Sequence, residues 1–342
     1  AVAAPTAQAA AALNAELADL SGGAAPGVEV VPLSRLLECR APGVFERGAA
    51  RPIEAGLVIV PEAMALDVER AAVLVDACAD DTHLVLVADP AQAPSASPGQ
   101  VVRDVIASRT VAVAELPPAA EPGPLVRLSG LVAGGELGQV EAPGREVVVV
   151  PASSGAEAAH RTVQLITDSI PRALGVPAGQ VQVVAATRAG DSGADALNTA
   201  CKERLNPGPG TYRGLDPGDR VLLTADGPGY SAGDVGRLEG ADDTGVRVGL
   251  ADGTTATVAD PAHLRPGGAI TVADSHGGLW PAVIAVFPPE TKGSRPQVYT
   301  AITRARRHLS VVHAAGPDLA QAVRRTAAIE RQTRLVEVLR EG

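Results

Sequence analysis

The sequence predicts an α/β protein in which two units built on mainly parallel sheets accompany a small antiparallel β-module, and three observations predict it. Short runs rich in Val and Ile alternate with Ala-rich helical stretches over residues 1–115, the rhythm of buried parallel strands joined by helices. A second series of the same kind opens at Glu146. Within that series, residues 216–266 change to short polar–apolar alternation with Gly or Asp at the turns, the pattern of a small β-barrel.

In order along the chain, strands are expected at 2–4, 28–31, 57–60 and 84–88, as buried runs and not as alternating ones, with helices over 6–20 and 65–79. Residues 117–144 carry the clusters Pro117-Pro118 and Glu121-Pro-Gly-Pro124 and read as a connection holding a short helix at 125–133. The second unit takes strands at 146–150, 181–185, 282–287 and 309–312, a helix over 156–170, and one long helix over 317–340 packed on its own sheet. The expected domains are therefore 1–116, a connector 117–144, a second domain made of 145–215 with 267–342, and the barrel 216–266 inserted in it.

Composition narrows the function. At 342 residues the chain can bury a substantial core and divide into two or three domains. A net charge of −10 does not imply a whole-surface grip on nucleic acid, so any contact with DNA must come from a local groove. Lys202 and Lys292 are the only lysines, and with aromatics at 2% Trp280 and Tyr299 are the best placed to stack on a base. Cys39, Cys78 and Cys201 are far apart and odd in number, which fits core thiols in a reducing cytosol, neither a disulfide framework nor a zinc knuckle. No apolar run reaches the roughly 18 residues that span a bilayer, and no leader pattern is present, so a soluble cytoplasmic protein without a membrane partner is expected. Ala1-Val-Ala-Ala-Pro-Thr6 reads as a strand entered midway, which predicts a longer parent polypeptide. His83, His160, His263, His276, His308 and His313 show no metal-ligand spacing with the cysteines and are expected on the surface or at caps. Ser153-Ser154-Gly155 lacks the setting of a nucleophilic serine.

The segment Tyr299-Thr-Ala-Ile-Thr-Arg-Ala-Arg-Arg-His308, ahead of the apolar run 309–312, sets a compact cluster of cations beside a buried strand. Locally it reads either as an anion contact or as a solvated basic helix turn. Five further segments stand with it: Ala4-Pro-Thr6, Leu57-Val-Ile-Val-Pro-Glu-Ala-Met64, Leu84-Val-Leu-Val-Ala-Asp-Pro-Ala-Gln-Ala-Pro-Ser95, Leu197-Asn-Thr-Ala-Cys-Lys-Glu-Arg-Leu-Asn-Pro207, and the stretch from Ala269-Ile-Thr-Val-Ala-Asp-Ser-His-Gly-Gly to Phe287. In this order the set resembles the motor motifs of the RecD-like, superfamily 1B DNA helicases. The resemblance implies two RecA-like domains with an SH3-like barrel inserted in the second, ATP and Mg²⁺ as cofactors, single-stranded DNA as partner, and work in DNA repair or recombination. It implies that Arg304 reaches the γ-phosphate, that Glu62 serves the metal and the attacking water, that Gln92 senses the γ-phosphate, and that Asp89 lies beside the nucleotide. It places Pro5, Thr6, Thr271, Ser275 and Trp280 along the DNA strand. Thr6 reads equally well as a helix cap and Asp89-Pro-Ala as a turn.

The chain also departs from that pattern. Pro61 stands where the strand normally ends in Asp, and proline offers neither a carboxylate nor a backbone N–H. Ala273-Asp-Ser-His276 replaces a His-Lys-Ser-Gln segment, setting an acid where a cation would meet DNA phosphates. Leu116-Pro-Pro-Ala-Ala120 replaces a segment that carries a second phosphate arginine. The sequence contains no Gly-x-x-x-x-Gly-Lys-Ser/Thr loop, which the resemblance would put upstream of Ala1. Three functions stay open: a motor core with degraded ATPase motifs that binds single strands, an active helicase whose phosphate loop lies upstream, and a non-catalytic scaffold for a protein partner.

Overall fold

The computed structural model describes residues 1–22, 27–117, 120–291, 293–325 and 331–341. Pro118, Lys292 and the stretch 326–330 of the expected long helix lie outside the described residues. Four strands, Val30–Pro32, Val2–Ala4, Leu57–Val60 and His83–Leu86, pair in that order into a first sheet that is parallel throughout. Five more, Ala269–Thr271, Val181–Ala185, Trp280–Phe287, Ala305–His313 and Val147–Pro151, form a second sheet, again all parallel. Between them in sequence, Thr255–Val258, Gly245–Gly249, Val235–Asp242, Arg220–Leu223 and Leu264–Pro266 make an antiparallel sheet with its own apolar core.

The second sheet is the more deeply buried of the parallel pair. All of Val181–Ala185 is buried, as is every residue of Trp280–Phe287 except Pro281, because helices cover both faces as parallel sheets require. The first sheet differs from the expected buried runs. Leu57–Val60 and His83–Leu86 alternate between more and less exposed positions, since His83–Leu86 is an edge strand and leaves Val85 and Val87 about 42% exposed.

Several boundaries move for local reasons. The strand expected at 28–31 runs Val30–Pro32, and that at 84–88 runs His83–Leu86. The helix expected at 65–79 becomes a 3-10 turn Ala63–Ala65 followed by a helix Val68–Asp76, which starts at Asp67 because that side chain accepts from the Arg70 N–H. The helix expected at 156–170 holds its α geometry over Gly155–Gln164 and then widens into a π turn at Leu165–Ser169, just ahead of Pro171, whose missing N–H breaks the regular ladder. The strands 282–287 and 309–312 lengthen to Trp280–Phe287 and Ala305–His313. The long C-terminal helix is not continuous: Pro317–Arg324 stops at Arg325, which turns to extended backbone, and Leu335–Glu341 is a separate helix. Arg340 of that last helix donates to the carbonyls of Ala107 and Ser108, so it packs on the Val101–Ser108 helix of the first unit and not on the second sheet. The helix in the connecting segment, Pro124–Ala133, buries Leu128 and Val132 in the core of the second sheet.

The antiparallel module is fastened to the first unit as well as to the second. Arg70 grips Asp226 with two nitrogens, and its Nη2 also reaches the Ala232 carbonyl. The Ala7 N–H donates to Asp234 Oδ1 at 2.6 Å, the Ser231 N–H donates to Asp234 Oδ2 at 2.7 Å, and Gln8 Nε2 donates to the Gly233 carbonyl at 3.1 Å. Ala7, the first residue of the Ala7–Leu20 helix, belongs to the same apolar cluster as Leu223, Tyr230 and Leu238 of the module. Lys202 closes the other side, bridging Asp216 at 2.7 Å and Asp219 at 2.6 Å. Among the described residues no helix is long and apolar enough to cross a membrane.

Candidate functional site at the cleft between the sheets

The loops of the two parallel sheets meet, and the residues singled out from the sequence are at that meeting. Pro61 and Glu62 follow the Leu57–Val60 strand, and Glu62 adopts left-handed backbone geometry with φ 53°. A non-glycine residue there costs on the order of 1 kcal/mol or more, so neighbouring contacts hold it in place. Arg304 lies in the turn between the Arg295–Ile302 helix and the Ala305–His313 strand and is 1% exposed. Its Nη1 donates to Glu62 Oε2 at 2.9 Å and to the Gly278 carbonyl at 3.3 Å, while Nε donates to the Thr300 carbonyl at 3.2 Å. A guanidinium this deeply buried needs such a partner, since an unpaired buried charge is strongly destabilising.

Two more contacts cross the same cleft. Tyr299 Oη donates to Asp89 Oδ2 at 2.5 Å, and the Ala93 N–H donates to Thr300 Oγ1 at 2.8 Å. Burial, and then the Asp89 carboxylate, push the Tyr299 pKa up, so the side chain stays a phenol and keeps donating. Gln92 is buried and its Oε1 has no hydrogen-bond partner among the described residues, and the same holds for His276 Nδ1. Burial holds His276 down at about 3, with repulsion from Arg304, Arg331 and Arg103 acting in the same direction, so the ring is neutral near pH 7.

The residues expected along a DNA strand do not form one open groove in this arrangement. Pro5 and Thr6 are buried. Thr6 Oγ1 caps the Ala7–Leu20 helix through the Ala9 N–H and donates to the Gly277 carbonyl, so the cap reading of Thr6 holds. A Cβ built on Gly277 would stand 3.0 Å from Pro5 Cβ and 3.2 Å from Ala65 Cβ, a close approach that glycine permits. Ser275 is buried and its hydroxyl donates to Val272, and Thr271 is tied to Asp274 Oδ2 at 2.6 Å. Trp280 is buried too, and lines a different cavity from the one bounded by Asp274 and His276.

The cation cluster at 304–308 splits, because the chain passes there from turn to strand. Arg304 turns inward, Arg306 pairs with Glu16 and donates to the Ala12 carbonyl, and Arg307 is exposed. His308 and His276 are buried, not on the surface as expected. His308 is held between the Arg145 carbonyl at 2.6 Å and Ser310 Oγ at 2.7 Å, and burial lowers its pKa. Sequence reasoning missed Arg70, Asp226 and Asp234, whose partners are remote in sequence and leave no local pattern.

Two parallel α/β sheets thus face each other with a glutamate supplied by the loops of one and an arginine by the loops of the other. Residues 1–118 match the sequence model of an AAA domain, and residues 266–312 match that of a UvrD-like helicase C-terminal domain. The ATP-dependent RecD2 DNA helicase of Deinococcus radiodurans is 35% identical over 180 residues, which is 49% of this chain and 24% of that protein. The matched part thus spans about a quarter of that relative's length. Over these stretches the chain resembles the RecD-like, superfamily 1B helicases. Among solved structures it is similar to Pif1 helicase from Bacteroides in complex with ADP-AlF3 and single-stranded DNA (TM-score 0.43, 15% identity, 91% of this chain and 81% of that one). It is also similar to Pif1 helicase from Candida albicans (TM-score 0.41, 12% identity, 84% and 76%).

Glu62 is paired to Arg304, Pro61 brings no ligand, and among the described residues no group of three or more His, Cys, Asp or Glu could hold a metal ion.

Proposed function

We propose that this chain is a RecD-like motor core that binds single-stranded DNA and turns over ATP slowly or not at all. The observation that carries the reading is the ion pair between Arg304 and Glu62. These are the two charged groups that kinship would set on either side of a transferred phosphoryl group, and here each answers the other. An arginine of that kind contributes roughly 10³ to 10⁵ in rate only where nucleotide and metal are already held. Pro61 supplies no metal ligand, and Asp89 is engaged by Tyr299.

On this reading residues 1–116 and the pair 145–215 with 267–342 are the RecA-like domains, 117–144 connects them, and 216–266 is the SH3-like barrel. ATP and Mg²⁺ are the cofactors that kinship implies. Glu62, Gln92 and Arg304 occupy the catalytic positions, Glu62 the metal position, and Asp89 a nucleotide position. Pro5, Thr6, Thr271, Ser275 and Trp280 occupy the DNA positions, which become accessible when the loops around Gly277 and Gly233 part from Pro5 and Thr6. Service as a clamp on single strands during repair or recombination is the role that fits.

The test is binding of a fluorescently labelled oligo-dT, with and without an ATP analogue and Mg²⁺. Salt-sensitive binding indifferent to nucleotide is the expected result. Affinity that responds to the nucleotide would replace the clamp with a coupled motor, and binding of neither ligand would replace it with a protein scaffold.

A further inference from the structure

Where the Ala7–Leu20 helix, the antiparallel module and the second sheet meet, they border an open cavity of about 440 Å³. Its polar lining is Gln8, Gln180, Arg220, Arg237 and Arg306, with Trp280 in the wall and Ala and Gly filling the spaces between. No Asp or Glu lines it among the described residues, although the chain as a whole carries a net charge of −10. Glu62, Gln92 and Arg304 do not line it either, so it is separate from the cleft between the sheets.

The arginines there are short of counter-charge. Arg220 donates Nη1 to the Val181 carbonyl and Nη2 to Gln182 Oε1, each at 2.5 Å, and both acceptors are neutral. Arg237 donates Nη1 to the Gly218 carbonyl at 2.9 Å, another neutral acceptor. Among the described residues neither has an ion-pair partner, and only Arg306 is answered, by Glu16. Burial, and then repulsion from Arg237, hold the Arg220 pKa down at about 10. The guanidinium remains charged at neutral pH, and an anion in the cavity would relieve that penalty. Arg220 and Arg237 also border a neighbouring cavity of about 650 Å³ beside the Ala194–Leu205 helix, but that one is lined by Asp195, Glu203 and Asp219 as well, so the acid-free lining belongs to the smaller space.

We propose that this junction is a binding site for the phosphate of a nucleotide, either a free nucleotide or one unit of a strand. Planar guanidinium groups with unspent N–H donors match phosphate oxygens in pairs. Gln8 and Gln180 offer amide groups to a base edge, and the volume lies in the range of small-ligand pockets, about 300–1,000 Å³. The site makes no use of a nucleotide at Arg304, and it shares only Trp280 with the DNA positions of the proposed function.

Trp280 is the only tryptophan in the chain and stands in the wall of this cavity, so its emission responds to a ligand there, and the Arg237→Glu variant ties the response to this site. The experiment follows that emission in the whole chain during addition of inorganic phosphate, dTMP and an oligo-dT, with anisotropy of a labelled oligo-dT read in parallel. A saturable change with dTMP or oligo-dT is expected, with inorganic phosphate competing. Arg237→Glu should weaken it about tenfold or more, the scale of one lost charge-assisted hydrogen bond. Arg237 is exposed and makes one hydrogen bond to a neutral acceptor, so its replacement leaves the fold intact. Arg220→Lys, which keeps the charge and loses the fork, should weaken binding by a smaller factor. Arg127→Glu, on the exposed connection, should leave it unchanged and so separates a local effect from net charge. Response to dTMP means a site for a free nucleotide, and response to oligo-dT alone means that a strand runs through it. A silent Trp280 overturns the proposal, as does equal affinity in the Arg237→Glu variant. Oligo-dT that binds by anisotropy while Trp280 stays silent, or that binds Arg237→Glu as tightly, sinks this site and spares single-strand binding elsewhere on the chain. A dTMP response without DNA binding does the reverse.

Discussion

The cleft between the two sheets and the seam between the antiparallel module and the first sheet are both closed by an arginine on a carboxylate, but at different depths. In the cleft, Arg304 is 1% exposed and Glu62 is 21% exposed at the side chain. In the seam, Arg70 and Asp226 are each 14% exposed and share a two-pronged grip, and Asp234 lies buried beside them. The cleft concentrates its charge in residues that kinship would reserve for a nucleotide. The seam uses residues with no such claim on them. The difference teaches that contacts crossing this chain can be told apart by what they leave behind when one partner is removed.

Arg304→Ala should have the largest effect. It strips a fully buried side chain, leaves Glu62 in strained backbone geometry without its partner, and should cost about 3 kcal/mol, the lower end for breaking a buried pair because Glu62 retains some solvent contact. A fall in the urea midpoint at unchanged m-value is the measurement. Loss of less than about 1 kcal/mol would mean that the cleft is held by the Tyr299 and Thr300 contacts instead, since that is the scale of an ordinary neutral hydrogen bond. Arg70→Ala in the seam should cost about 2 kcal/mol, less because both partners keep more contact with water. Equal losses in the two variants would erase the distinction between the regions.

Acid titration separates them in another way. Asp234 in the seam has its pKa raised to about 7, chiefly by burial and against the two N–H groups it accepts from, whereas an unfolded aspartate titrates near 3.9. Between those values the folded chain holds the extra proton, so this group contributes stability that is lost as pH rises from about 4 to 7. His276 in the cleft behaves oppositely. Its folded value is about 3 and its unfolded value about 6.5, so its contribution is lost as pH falls through that window. The two slopes oppose each other where they overlap, and each amounts to at most about 1.4 kcal/mol per pH unit. Asp234→Asn should therefore leave stability rising between about pH 4 and 6.5, and His276→Asn should leave it falling. Parallel profiles for the two variants, from urea midpoints across that range, would show that neither group titrates as its surroundings imply.

What the sequence revealed follows the same division. The parallel sheets were legible because central strands must be apolar on both faces, and Val181–Ala185 and Trp280–Phe287 carry that demand openly. Glu62 and Arg304, 242 positions apart, were brought together only by motif order, since no periodicity links them. The seam was invisible: Arg70 and Asp226 are 156 positions apart, and no local pattern links them. Spacing also misled where backbone geometry intervened. The cations of 304–308 looked like one cluster until a turn buried Arg304 and strand alternation dispersed the rest. Pro5, Thr6 and Ser275 looked like a surface because their motifs imply a ligand, whereas the loops around Gly233 and Gly277 approach closely enough to bury them.

The rim of the seam gives the smallest and most discriminating prediction. Arg35 pairs with Asp252 at 2.8 Å, but Arg35 is 37% exposed at the side chain. Such a pair yields only about 0.5 kcal/mol, because water screens it and two side chains lose freedom to form it. Arg35→Ala should thus lower the urea midpoint slightly in dilute buffer and not at all in 1 M salt, where the screening length is about 3 Å. Arg70→Ala should keep most of its effect in the same salt, because Arg70 and Asp226 are largely shielded from solvent ions. If both effects vanish together, Arg70 and Asp226 are screened like surface charges, and the seam is closed by its apolar contacts around Ala7 and by the hydrogen bonds to Asp234.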